Sequence, residues 1–185
     1  FRRVLIRSTR QHSADEYLRV VDKLRTARPE LALSSDFIVG FPGETDQDFA
    51  DTLRLVRIVG YAQAYSFKYS PRPGTPAAAE EQVPEDIKDS RLQTLQQLIR
   101  AQQAAFNRSH QDTVMPILLE RTGRKPGQLI GRSPYMQSVH VYAPERLIGA
   151  IVDCRIVSVH NNSLGGEVVT REVADAPDVQ EGAPA

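Results

Sequence analysis

Cysteine is all but absent: the 185 residues contain one, Cys154. A single thiol cannot close an internal disulfide, complete a Cys-x-x-Cys metal knuckle or hold an iron–sulfur cluster, so any redox cofactor must take its ligands from elsewhere. Long hydrophobic runs are absent as well. A membrane span needs roughly 20 consecutive apolar residues, whereas the longest runs here are a few residues and no hydrophobic segment follows a basic tip. The sequence therefore reads as cytoplasmic, with no membrane association. Net charge is missing too, because 23 basic side chains balance 23 acidic ones. That balance hides an uneven distribution, since residues 1–28 carry eight basic and three acidic groups. His12, His110, His140 and His160 stand apart from any acid or serine at a telling spacing, which leaves a hydrolase triad without support. With 41% hydrophobic residues, the chain suffices for one or two small domains with real cores.

The patterning that is present divides the chain. Ser13 and Glu16 form a capping box ahead of Tyr17, Val20, Val21, Leu24 and Ala27, and Arg28-Pro29 ends that helix. Leu31 to Val39 is apolar and β-branched enough for a strand, broken by Gly40-Phe41-Pro42-Gly43. Thr45 and Asp48 repeat the cap, Phe49, Leu53 and Val56 line one face of a second helix, and Gly60 stands at its C-cap. Ala64 to Tyr69 reads as a second strand, running into Ser70 to Pro76, a loop too proline-rich for helix or central strand. Helix, strand, helix, strand implies parallel strands, right-handed crossovers and an α/β layer whose chemistry gathers at the carboxyl ends of the strands. Both Gly/Pro loops lie at those ends. Pro84, Glu85 and Asp86 open a long helix, with the proline in its first turn, and Ile87, Leu92, Leu95, Leu98, Ile99 and Phe106 carry a packing face to about His110. From Thr113 the period shortens. TVMPILLE, QLIG, MQSVHVY, LIGAIVDCRIVSV and SLGGEVVT are five short β-rich stretches between turns, which predicts a closed or nearly closed barrel of the OB type. Residues 174–185 carry three acids and no base and are expected to form a disordered tail.

Two regions carry candidate chemistry. Asp36 to Thr45 places an acid in a strand, where an unpaired buried carboxylate is costly, and glycines where a ligand needs close approach. On physics alone the plainer reading of this segment, a tight strand-to-helix turn, is preferred. Arg72, stiffened between two prolines, suits a carboxylate or phosphate, although a solvated loop arginine is the commoner outcome. Arg121, Arg124, Lys125 and Arg132 fall in twelve residues free of acid, with Tyr135 and His140 following, a pattern that fits phosphate contact joined to base stacking as well as a solvated turn. Cys154 alternates with Val152 and Ile156 and is expected to pack as a small hydrophobe.

Six segments in order resemble the carboxyl-terminal half of the radical-SAM methylthiotransferases. They are R-x-H-S-x-x-E-Y-L from Arg10 to Leu18, DFIVGFPGET from Asp36 to Thr45, FKYSPRPGTPAA from Phe67 to Ala78, QQAAFNRS from Gln102 to Ser109, GRKPGQLIGRSPYMQSVHV from Gly123 to Val141, and NSLGGE from Asn162 to Glu167. The last two look like the tRNA-modifying branch of that family. The resemblance implies an α/β partial (β/α) barrel of radical-SAM type, truncated at its N-terminus, over residues 1–111. A small OB-like all-β barrel, the TRAM domain, is implied over 112–173, followed by the acidic tail at 174–185.

The same resemblance implies a part in adding a methylthio group to C2 of isopentenyl-adenosine beside the anticodon, using S-adenosyl-L-methionine. It further implies two [4Fe-4S] clusters in the full-length enzyme, whose cysteines would precede this chain. The chain alone is then expected to be a monomer that binds the tRNA anticodon stem-loop weakly and catalyses nothing. Carried over by position, Asp36, Ile38, Val39, Gly40 and Arg72 are the cofactor-binding candidates, with no catalytic or metal-binding residue assigned. Arg121, Arg124, Lys125, Arg132, Tyr135 and His140 are the RNA-binding candidates. Threonylcarbamoyl-adenosine as substrate, a stand-alone RNA-binding module, and an α/β nucleotide-binding enzyme remain as alternatives, the last weakened by the lack of a P-loop pattern.

Overall fold

The computed structural model describes residues 13–169. The expected tail over 174–185 and the Arg10–His12 start of the first motif lie outside the described residues. The chain divides into two compact units, Phe1–His110 and Gln111–Ala185.

In the first unit α1 (Ala14–Ala27) begins at a complete capping box: Ser13 Oγ accepts the Glu16 N–H, and the Glu16 carboxylate accepts the Ser13 N–H at 2.7 Å. Strand β1 (Ser34–Val39) leads through the Gly/Pro turn to α2 (Asp46–Val59), capped by Thr45 and Asp48 and ended by Gly60 in left-handed backbone at φ 57°. Strand β2 (Gln63–Lys68) pairs with β1 in parallel, Asp36 opposite Tyr65 and Ile38 opposite Phe67. The proline-rich loop from Ser70 carries neither α-helix nor strand, as expected, and a 3-10 turn, Pro76–Ala78, follows at its end. Helix α3 (Glu85–Arg108) follows. Pro84 keeps an extended ψ of 144° and so stands before the first turn as the N-cap, not inside it.

Val39, Val56, Val59 and Leu95 are fully enclosed, each worth about 1.5–3 kcal/mol of burial, with Val21, Leu55 and Ile99 around them. They draw α1, α2 and α3 onto one face of the two strands. Phe37 and Val39 turn toward that core, while Asp36 and Ile38 turn to the open face beside Tyr65 and Phe67. Asp36 is thus solvated, and the cost expected of a carboxylate on a buried strand does not arise. Ile87, assigned to the packing face of α3, is 38% exposed, whereas Lys88 and Arg91 are buried.

The second unit is a closed five-stranded barrel in the order β3-β4-β5-β7-β6, made from β3 (Val114–Thr122), β4 (Gln128–Arg132), β5 (Ser138–Tyr142), β6 (Ile151–Val159) and β7 (Leu164–Val168). All neighbours are antiparallel except β5 and β7. Alternation sends Ile117, Leu119, Leu129, Val139, Val141 and Leu164 into a core from which water is excluded. Cys154 and Ile156 join them, as their spacing predicts. Three expected strands are shorter than read: Leu31 to Leu33 precede β1, Met136 and Gln137 belong to the turn before β5, and Leu147 to Ala150 is not strand, because Glu145–Leu147 forms a 3-10 turn and Gly149 reverses the chain at φ 89°.

Candidate functional site

The two Gly/Pro loops meet the carboxyl ends of β1 and β2 around a cleft of about 510 Å³. Ile38, Phe41, Phe67 and Tyr69 supply apolar walls, and Lys68 and Arg72 supply charge. Phe41 and Tyr69 pack edge to face at 4.9 Å, and the Tyr69 N–H donates to the Val39 carbonyl at 2.8 Å, so the second loop is tied to the end of the first strand. Two cations face the cleft in different states. Lys68 Nζ donates to Asp89 at 2.8 Å and to Glu85, whose carboxylates hold its pKa above the ordinary value. The Arg72 side chain has no partner among the described residues.

Of the five cofactor candidates, Ile38 and Arg72 line this cleft. Val39 turns its side chain into the helix-covered core, and its carbonyl already accepts from Tyr69. The Gly40 N–H donates to Glu44 Oε2 at 2.6 Å. Asp36 lies two residues back on the open face.

The turn that forms one side of the cleft is anchored from α3. Arg91, 6% exposed, donates from Nη1 to Glu44 Oε2 at 2.8 Å and to the Glu44 carbonyl at 3.1 Å, and from Nη2 to Asp46 Oδ1 at 2.7 Å. Burial works against the guanidinium charge, but the hydrogen bonds to Asp46 and Glu44 outweigh it and leave the Arg91 pKa raised. Lys88 packs its stem against Gly40, where φ is +72° and an added Cβ would collide with Lys88 Cγ. Glycine is required there on both counts. Sequence reading missed Arg91, Lys88, Glu44 and Lys68, since charges on a helix, a turn or a strand end ordinarily read as solvated. The only available signal was that Lys88, Arg91, Leu95 and Ile99 recur at helical spacing.

On the barrel, pairing sorts the RNA candidates by position. Hairpin β3–β4 places the loop 123–127 at one end, and hairpin β4–β5 places the turn 133–137 at the other. Arg121, Arg124 and Lys125 are exposed at or beside the first loop and have no side-chain partner among the described residues. Arg146, which sequence spacing gave no reason to include, joins this end because the Ala143 N–H donates to the Gly127 carbonyl at 3.1 Å. Arg132 is at the far end, where its Nε lies 3.4 Å from Glu120 and its Nη1 donates to the Met136 carbonyl at 3.2 Å. Tyr135, also at the far end, packs against the barrel core. His140 lies midway along β5 between Ile130 and Gly165, with its Nδ1 buried and without a partner. Six residues that lie between positions 121 and 140 are therefore split, because a hairpin carries the chain from one end of a barrel to the other within about five residues.

No group of three or more His, Cys, Asp or Glu among the described residues is arranged to hold a metal ion, and Cys154 is enclosed in the barrel core. No described helix is long and apolar enough to cross a membrane. Comparison with known families finds that residues 2–56 match the Radical SAM superfamily and residues 108–169 match the TRAM domain. The chain thus carries part of a radical-SAM domain followed by a TRAM domain, an order consistent with a protein of the radical-SAM methylthiotransferase type.

Proposed function

We propose that this chain works as part of a cytoplasmic tRNA methylthiotransferase that modifies C2 of isopentenyl-adenosine beside the anticodon. The observation that carries the reading is the joining, on one chain, of an α/β unit with a cleft at the carboxyl ends of its strands to a TRAM barrel whose basic loop is free of acid. The cleft suits S-adenosylmethionine in size and lining: Ile38 and Phe67 offer flat apolar surface for an adenine, and the unpartnered Arg72 offers a fork for a carboxylate. When bound, one S-adenosylmethionine would serve as methyl donor and another, reduced by a cluster held outside this chain, as the source of the hydrogen-abstracting radical. The residues of this chain do not fit a [4Fe-4S] cluster, since its one cysteine is enclosed.

What the chain itself contributes is binding and orientation. The Arg91–Glu44–Gly40 anchor ties the cleft wall to α3, and Arg121, Arg124, Lys125 and Arg146, with the exposed Glu145 beside the last, form a predominantly cationic end for a phosphate backbone. Fluorescence anisotropy with an anticodon stem-loop RNA tests the second role. Binding is expected at low salt and should weaken as salt rises. Arg124→Ala with Lys125→Ala should lower the slope of log affinity against log salt by about 0.7 for each phosphate that the variant leaves unneutralised. Absence of binding at low salt, or affinity indifferent to salt, would overturn the reading.

A further inference from the structure

We propose that the turn 133–137, at the barrel end opposite the basic loops, presents Met136 as a wedge for an unstacked nucleobase of an RNA loop. This rests on the RNA-binding reading above. Met136 is 64% exposed and stands in left-handed backbone at φ 63°. Glycine or asparagine fills such a position at least cost, and a side chain pointing into water gains nothing from packing in return.

The turn nevertheless enforces that conformation. Ser133, 4% exposed, accepts at its Oγ the N–H groups of Tyr135 and Gln137, each at 3.2 Å, and donates to Gln137 Oε1 at 2.9 Å. The Ser133 N–H donates to the Gln137 carbonyl at 3.1 Å, and the Met136 N–H donates to the Ser133 carbonyl at 2.9 Å. Arg132 fastens the Met136 carbonyl from below. Tyr135, an aromatic RNA-binding candidate, is half-buried and packs against the barrel core, which roots the turn. The result is a soft, polarizable thioether held outward on a rigid base.

The surroundings fit a base. The turn 133–137 and the loop 160–163 at the same end contain no acid, and that loop exposes the side-chain amides of Asn161 and Asn162, which can pair with base edges. Methionine is among the apolar side chains that nucleic-acid-binding proteins insert between stacked bases. The two ends then divide the work: the basic end holds phosphates, which carry no sequence information, and the Met136 end meets a base.

The test uses the full chain and an anticodon stem-loop RNA carrying 2-aminopurine in the loop. With the unaltered protein, saturation should raise the fluorescence as the base unstacks. Met136→Gly and Met136→Asn should fold at least as stably, bind about tenfold more weakly and lose the fluorescence rise at saturation, with an unchanged salt slope. Arg124→Ala with Lys125→Ala should lower the slope yet keep the rise at saturation. If the unaltered chain binds RNA and both Met136 variants match it in affinity and fluorescence, the wedge is overturned while RNA binding stands. If the variants lose binding to a protein partner and not to RNA, the wedge is likewise overturned. No binding of RNA by the unaltered chain at low salt removes the RNA reading and the wedge together.

Discussion

Cys154 has no exposed surface, and desolvation, reinforced by the neighbouring Asp153 carboxylate, pushes its thiol from 9.0 up to about 11. The folded state therefore holds its proton more tightly than the unfolded chain. Below pH 9 both states are protonated and the residue has no influence on stability. Between pH 9 and 11 the unfolded chain ionises first, so stability falls with rising pH, by about 2–3 kcal/mol at the top of that interval. Urea unfolding of the barrel at pH 8, 9, 10 and 11 should show this loss in the natural sequence and not in Cys154→Ala, and parallel pH profiles for the two proteins would refute it. Residues of this kind were legible in the sequence, because alternation with Val152 and Ile156 places Cys154 on a strand's apolar face. Asp36 was less so. Strand periodicity says that it shares a face with Ile38, but which face the helices cover depends on where the chain returns.

At the scale of elements, the anchor between α3 and the β1 turn is the least legible feature and the most consequential for the cleft. Helix boundaries followed from caps that the sequence spells out, as in Ser13–Glu16, Thr45–Asp48 and Gly60. The partner of Glu44 did not, since Arg91 lies 47 residues away and is brought to it only by packing. Removing one member of a buried pair costs about 3–5 kcal/mol, because the other charge stays buried and uncompensated. Arg91→Met should destabilise the α/β unit by about that amount, and adding Glu44→Gln should recover part of it. Chemical denaturation of the single and double variants measures the coupling, and additive losses would show that the two side chains do not act as a pair. Gly40→Ala should cost about 2 kcal/mol or more, from the left-handed backbone at φ +72° and from collision with the Lys88 stem.

At the scale of the whole molecule, the units differ in how completely their strands are satisfied. Every barrel strand has two neighbours, whereas β1 and β2 pair only with each other among the described residues and leave Ile38, Tyr65 and Phe67 more than half exposed on one face. Backbone groups on the outer edges of that pair open more readily than those of a closed ladder. In hydrogen exchange on the full chain, amides of β1 and β2 should therefore exchange faster than those of β3, β5 and β6, and equal protection would contradict this account. The sequence by itself determined most of the elements and their class, and which residues share a face, because caps, turn residues and apolar period act over a few residues and need no distant partner. Tertiary structure alone decided which charges meet. It joined Arg91 to Glu44, parted Arg132 and Tyr135 from Arg124 and Lys125, brought Arg146 to the basic end and left Met136 at the tip. These outcomes depend on strand register and helix docking, where residues far apart in the chain are juxtaposed by the burial of others.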